Sequence, residues 1–108
     1  MNEGGKGDVE FAKKKMVTII AESALEAMII KNIKRFGVSG YTLMYAMGNG
    51  ERGVRKGDWD QNKNIFLQTV CTDEVAHAIM DYLYDHYYED YAIIAYATEV
   101  DIHRSSKF

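Results

Sequence analysis

Apolar residues follow a strand-like spacing in some segments of this chain of 108 residues and a helical spacing in others. The order of these segments limits the folds that the chain can adopt. Short runs rich in β-branched and aromatic residues, apolar on both alternating faces, are typical of buried strands. Four such runs predict strands at residues 16–21, 41–47, 65–70 and 91–102. Residues 1–13 are polar and contain three glycines, so we expect a flexible leader there.

Two helices are predicted between these strands. The first begins with the capping-box pair Ser23 and Glu26 and ends at Gly37, a residue type that favours helix C-termini. The second begins at Thr72, a favourable N-cap residue. The apolar residues at helical spacing are Leu25, Met28, Ile29, Ile33 and Phe36 in the first helix and Val75, Ile79, Tyr82 and Leu83 in the second.

The order βαββαβ predicts an α+β domain over residues 14–108 with a ferredoxin-like arrangement. In that arrangement a four-stranded antiparallel sheet carries two helices on one face. Residues 41–47 and 91–102 are nevertheless apolar on both faces, so a monomer would expose a large apolar patch. We therefore expect a symmetric oligomer in which sheets pack against one another.

Charge and cysteine content narrow the classes of function. Thirteen Lys and Arg residues against 16 Asp and Glu give a formal net charge of −3, which disfavours binding to nucleic acid. Cys71 is the only cysteine, so no disulfide can form within the chain and a reducing, cytoplasmic location is expected. No apolar run reaches the roughly 18 residues of a transmembrane helix.

A long loop joins the second and third predicted strands. Residues 48–64 have neither helical nor strand spacing, and they hold four of the nine glycines together with Arg52 and Arg55. Glycines let backbone N–H groups approach phosphate oxygens, and arginines add charge-assisted hydrogen bonds. Judged by residue types alone, a phosphate site and a solvated loop are equally compatible with this segment.

Two common nucleotide motifs do not account for this loop. Gly48, Gly50 and Gly53 have the spacing of the dinucleotide fingerprint, but no helical pattern follows them, as that motif requires. A Walker sequence is absent from the chain. The sequence also places no nucleophile, base and orienting group together, so we expect a binding protein and not an enzyme.

Three segments, in their order and spacing, resemble PII signalling proteins, and most closely the PII-like branch associated with bicarbonate uptake and carboxysomes. They read Met-Val-Thr-Ile-Ile-Ala at 16–21, Gly-Val-Ser-Gly-Tyr-Thr at 37–42 and Gly-Asn-Gly-Glu-Arg-Gly-Val-Arg at 48–55. The last is similar to the G-x-G-x-R-x-V-R of that branch. The resemblance spans residues 16–104.

The resemblance implies a homotrimer that binds an adenine nucleotide between subunits. Residues 48–64 would be the T-loop, which becomes ordered when ligand binds and signals to a carbon-metabolism partner, such as a bicarbonate transporter or a carboxysome-related protein. Trp59 lies in this loop, where its ring could pack on the domain or contact a partner. Since tryptophan is enriched at interaction hot spots, we assign it to the partner-binding surface.

Six positions match the nucleotide site of that family. They are Thr42, Gly48, Gly50, Arg52, Arg55 and Arg104. By the resemblance, the threonine would face the adenine and the two glycines would admit the phosphates. The two loop arginines would pair with those phosphates, and the last arginine would contribute across the subunit boundary.

One segment departs from the wider family, whose members have a glycine- and lysine-rich stretch between the second helix and the last strand. Here residues 87–91 read Tyr-Tyr-Glu-Asp-Tyr. Without those lysines the site should favour ADP, AMP or cyclic AMP over ATP. The resemblance to the branch associated with bicarbonate uptake implies bicarbonate as a further ligand. No further cofactor is expected.

The alternative function is a trimeric metal-binding or metal-tolerance protein of the same fold. It would require His77, His86, His103 or Cys71 to converge across subunits. None of them belongs to a recognised metal-binding motif, so we assign no metal site.

Overall fold

The computed structural model describes residues 10–48 and 63–108. The elements are β1 (Ala12–Glu22), α1 (Glu26–Arg35), β2 (Thr42–Met47), β3 (Lys63–Cys71), α2 (Asp73–His86) and β4 (Ile94–Ile102). The strands form one antiparallel sheet in the order β2-β3-β1-β4. This confirms the ferredoxin-like α+β fold. Within the described residues, no helix has both the length and the apolar character needed to cross a membrane.

The core lies between the sheet and the two helices. Alternate residues of the two central strands point into it, which is the periodicity of a strand with one covered face. The fully buried aliphatic residues are Val17 and Ile19 of β1, Ile65 and Leu67 of β3, Ile29 of α1, and Ile79 and Leu83 of α2.

β1 is longer than the apolar run that predicted it. It begins at Ala12, so it includes two residues that we assigned to the leader. The added residues are mostly polar, but they pair with β4 from Ala12–Ile102 onwards. Lys13 Nζ lies 2.9 Å from Asp101 Oδ1 and 3.8 Å from Glu99 Oε1. At this end of β1, ion pairs with β4 therefore stabilise the strand pairing, and alternating apolar residues are not needed. Residues 1–9 lie outside the described residues.

α1 does not begin with the predicted capping box. The chain passes from β1 into a short 3₁₀ turn at Ser23–Leu25, and neither the turn nor α1 has a side-chain cap. The carboxylate of Glu26 instead accepts a hydrogen bond from Tyr45 Oη at 2.6 Å. Met28, which we placed on the buried face, is exposed. The predicted end is confirmed, because Gly37 has a φ of +100°, which favours glycine.

The other three strands also begin at residues that differ from the sequence prediction. β2 begins at Thr42, one residue late. β3 begins at Lys63, so the last two residues of the predicted loop belong to the sheet. β4 begins at Ile94, because the preceding residues form a turn in which Tyr91 N donates to Tyr87 O at 2.9 Å.

The face of the sheet opposite the helices is apolar, as predicted. One row across the four strands joins Met44, Phe66, Ile20 and Ile94. We call this surface the open face, and no helix within residues 10–48 and 63–108 covers it. Ile94 keeps 59% of its surface exposed.

Candidate functional site

Thr42 lines an open pocket at the start of β2, where it pairs with Gln68 of β3. The pocket has a volume of about 230 Å³. We call it the Thr42 pocket. Its lining residues are Met16, Gly40, Tyr41, Thr42, Gln68, Thr69, Val70 and Phe108.

Side-chain hydrogen bonds fix the walls of the Thr42 pocket. Thr69 Oγ1 donates to the carbonyl oxygen of Gly40 at 2.5 Å, which holds the turn before β2 against β3. Gln68 Nε2 donates to Thr18 Oγ1 at 3.1 Å across the sheet. These contacts join three segments that are distant in sequence, so the pocket is built by the folded sheet.

Arg104 lies on the segment that closes one side of this pocket. Its backbone is left-handed, with a φ of 57°, and its carbonyl oxygen accepts from Lys107 N at 2.9 Å. This turn directs the chain from β4 back towards Ser39, whose Oγ donates to the carbonyl oxygen of Lys107 at 3.1 Å. Thr42 and Arg104 thus lie at the same end of the sheet.

Gly48 lies at the other end of β2. Six residue steps of about 3.3 Å separate it from Thr42, so the two are roughly 20 Å apart. A Cβ at Gly48 would clash with Asn64 Nδ2, so a larger residue there would displace that side chain. The structure does not bring Thr42 and Gly48 of one chain together.

A second open pocket, of about 540 Å³, lies beside Gly48 where the long loop leaves the sheet. Its lining residues are Ser23, Glu26, Tyr45, Ala46, Met47 and Lys63. The hydrogen bond from Tyr45 to Glu26 raises the pKa of Tyr45. The remaining predicted site residues, Gly50, Arg52, Arg55 and Trp59, lie outside the described residues.

Residues 87–91, between α2 and β4, form a packed aromatic turn. Tyr87 is buried, and its ring centroid lies 5.6 Å from those of both Tyr82 and Tyr91. Glu89 and Asp90 are exposed in the same turn. The segment therefore adds negative charge to this part of the surface, whereas the ring of Tyr87 is packed inside.

The possible metal ligands are dispersed. In the part of the chain that the structure describes, no three His, Cys, Asp or Glu side chains are grouped as metal ligands would be. The rings of His103 and His86 pack on Phe11 and Tyr82, each at 4.6 Å between centroids. Cys71 is buried, and burial raises the pKa of its thiol.

Three residues of the Thr42 pocket and its surroundings were missed by the sequence analysis. Gln68 lies in the pocket because the register of β2 and β3 places it opposite Thr42, and that register cannot be read from sequence spacing. Ser39 binds the carbonyl oxygen of Lys107 in the last turn, and the next residue, Phe108, lines the pocket. The one sequence feature that could have pointed to Phe108 is that it is a single aromatic residue after the polar run at 103–107.

Comparison with known proteins places this geometry in a family. The family model for nitrogen regulatory protein P-II matches residues 14–107. A PII-like signaling protein from Thermus thermophilus is 41% identical, with a TM-score of 0.79 and coverage of 93% of this chain and 99% of that chain.

CPII from Thiomonas intermedia is similar in fold. Its structure bound to ADP, AMP and acetate is 19% identical, covers 93% of this chain and 98% of that chain, and gives a TM-score of 0.80. Its structure bound to ADP and bicarbonate is 21% identical with the same coverages and a TM-score of 0.79.

Proposed function

The chain belongs to the nitrogen regulatory protein P-II family, and from that premise we propose that it is a regulatory sensor, not an enzyme, which binds an adenine nucleotide. The observation that carries the proposal is the Thr42 pocket. It combines an apolar floor with a small number of polar side chains, as small-molecule sites do. Thr42 is the residue that the family resemblance assigns to the adenine.

The nucleotide binds between two chains of a homotrimer. Support comes from the separation of roughly 20 Å between Thr42 and Gly48 along β2. A ligand whose base meets Thr42 and whose phosphates meet Gly48 and Gly50 needs these residues from different subunits. The exposed apolar residues of the open face give the subunits a surface on which to associate.

ADP, AMP or cyclic AMP is the proposed ligand in preference to ATP, and bicarbonate accompanies it. The exposed carboxylates of Glu89 and Asp90 disfavour additional phosphate charge on this part of the surface. CPII, which shares the fold, was solved with ADP, AMP and bicarbonate.

The signalling step is an ordering of the T-loop, residues 48–64, when nucleotide binds. Arg52 and Arg55 pair with the phosphates, and the ordered loop, with Trp59, presents a surface to a carbon-metabolism partner in the cytoplasm. Because a ligand shifts a conformational equilibrium only by its differential affinity, the ordered loop must contact the ligand or a surface that the ligand creates.

Calorimetric titration of the protein with ADP, AMP, cyclic AMP and ATP, with and without bicarbonate, tests the function. Arg52→Ala and Arg55→Ala should each weaken ADP binding at least tenfold, since each removes charge-assisted hydrogen bonds worth about 1.5–3 kcal/mol. The matched control is Arg35→Ala, because Arg35 lies at the end of α1 and bonds to Asn32. It should bind ADP as the parent does.

Hydrogen exchange across residues 48–64 should slow in the same ADP titration. A parent protein that binds no adenine nucleotide would contradict the proposed function. Unchanged affinity in both loop variants would contradict the roles of the two arginines.

A further inference from the structure

We propose that Phe108 is a base-binding residue, whose ring forms the wall of the Thr42 pocket against which the adenine stacks. This inference rests on the proposed function, since it concerns the same site. It assigns a nucleotide contact to a residue that neither the sequence motifs nor the family resemblance singled out.

Phe108 lies on a different part of the fold from the other residues that line the pocket. Every other lining residue belongs to the sheet or to the turn before β2. Phe108 follows the short 3₁₀ turn at Ser105–Lys107, and its backbone N–H donates to Ser105 O at 3.1 Å. Its side chain therefore reaches the pocket from outside the strands.

A specific bond holds this segment at the pocket. The hydroxyl of Ser39 donates to the carbonyl oxygen of Lys107, the residue before Phe108. The neighbouring Gly40 is itself bonded to Thr69 of β3. Through these two bonds the turn before β2 positions both the Thr42 side and the Phe108 side of the pocket.

The size and chemistry of the pocket suit a nucleobase. Its volume of about 230 Å³ is smaller than the roughly 300–1,000 Å³ of complete small-molecule sites, so it suits one part of a nucleotide. The apolar side chains of Met16, Val70 and Phe108 suit the flat base, whereas a phosphate would need charged or N–H donors. Phe108 keeps 42% of its surface exposed, which leaves ring surface available for stacking.

Calorimetric titration with ADP tests this role in Phe108→Ala, Phe108→Leu and Phe108→Tyr. Stacking of a base on an aromatic ring contributes about 1–3 kcal/mol, so Phe108→Ala should weaken ADP binding roughly fivefold to 150-fold. Phe108→Leu keeps apolar bulk without a ring and should also bind weakly, whereas Phe108→Tyr should bind like the parent. Ser39→Ala, which removes the bond to Lys107, should weaken binding without any change to the ring.

The control is Tyr84→Ala, because Tyr84 is an aromatic residue of α2 with 71% of its surface exposed and no place in the pocket. It should leave ADP affinity unchanged. If the parent binds ADP and Phe108→Ala binds it equally well, this inference is wrong and the proposed function stands. Parent-like binding by Phe108→Leu would overturn stacking in the same way. If the parent binds no adenine nucleotide, the proposed function and this inference both fail.

Discussion

At the scale of single residues, Tyr87 carries a measurable consequence of burial. Only 3% of its surface is exposed, and its hydroxyl has no hydrogen-bond partner of ordinary geometry among the described residues. Burial, to which the nearby Tyr82 adds, raises the pKa of Tyr87 to about 12. An unfolded chain ionises this phenol at about pH 10. The folded state is therefore penalised as pH rises from about 10 to 12.

Tyr87→Phe should remove that penalty. Below pH 10 the variant should be as stable as the parent or slightly more stable, because it loses a buried hydroxyl without a partner. Between pH 10 and 12 the parent should lose about 1–3 kcal/mol of unfolding free energy that the variant keeps. Urea denaturation at a series of pH values measures this difference.

Tyr84→Phe is the matched control, since that residue is exposed on the same helix. It should lose stability with pH as the parent does. If Tyr87→Phe and the parent lose the same unfolding free energy as pH rises, the fold does not hold the phenol of Tyr87 protonated.

At the scale of elements, the two helices begin in different ways. The hydroxyl of Thr72 accepts a hydrogen bond from Val75 N at 3.2 Å, which is the cap that the sequence predicted for α2. Ser23 provides no such bond at the start of α1. Thr72→Ala should therefore lower the unfolding free energy by about 1 kcal/mol, and Ser23→Ala should change it by less than about 0.5 kcal/mol.

Chemical denaturation of the two variants beside the parent measures these effects. Equal losses in both would mean that the hydroxyl of Ser23 acts as a cap in solution. The comparison is well matched, because each change removes one hydroxyl near a helix start.

The difference between the helices shows what local sequence can predict. The cap of α2 joins residues three positions apart, so spacing alone was sufficient. At the start of α1, in contrast, the carboxylate of Glu26 is bonded to Tyr45, which is 19 positions away. β1 was predicted too short for a similar reason, since Lys13 is matched to Asp101 on another strand. Such partners become visible only when the register is known.

At the scale of the whole molecule, the open face should hold a trimer together. Ile94→Lys places a charge on this face and should give monomers, because an unpaired charge is costly to bury between subunits. Light scattering at micromolar concentration measures the mass. A stable monomer in the parent protein would contradict the trimer.

Met28→Lys is the control for that change. Met28 has 52% of its surface exposed, similar to Ile94, but lies on α1 on the other side of the sheet. It should leave the trimer intact. Dissociation by both substitutions would mean that the open face is not the particular surface that joins the subunits.

The candidate site was less predictable from sequence than the fold. The resemblance identified Thr42 and Arg104, whose nucleotide contacts stay a prediction. Their association at one end of the sheet depends on the left-handed turn at Arg104 and the bond from Ser39 to Lys107. No periodicity signals either feature. The separation of Thr42 from Gly48, in contrast, follows directly from their spacing on one predicted strand.

The position of β1 in the sheet has a consequence for how the chain reaches its native state. β1 pairs on one side with β4, from Ala12–Ile102 to Ile20–Ile94, so the first and last strands are neighbours. Contacts between such distant segments are slow to form, because a large loop must close before they are made. During synthesis the apolar strand β1 emerges early but has to wait for β4 before its second edge is paired. Completion of the sheet is thus deferred until nearly the whole domain has been translated.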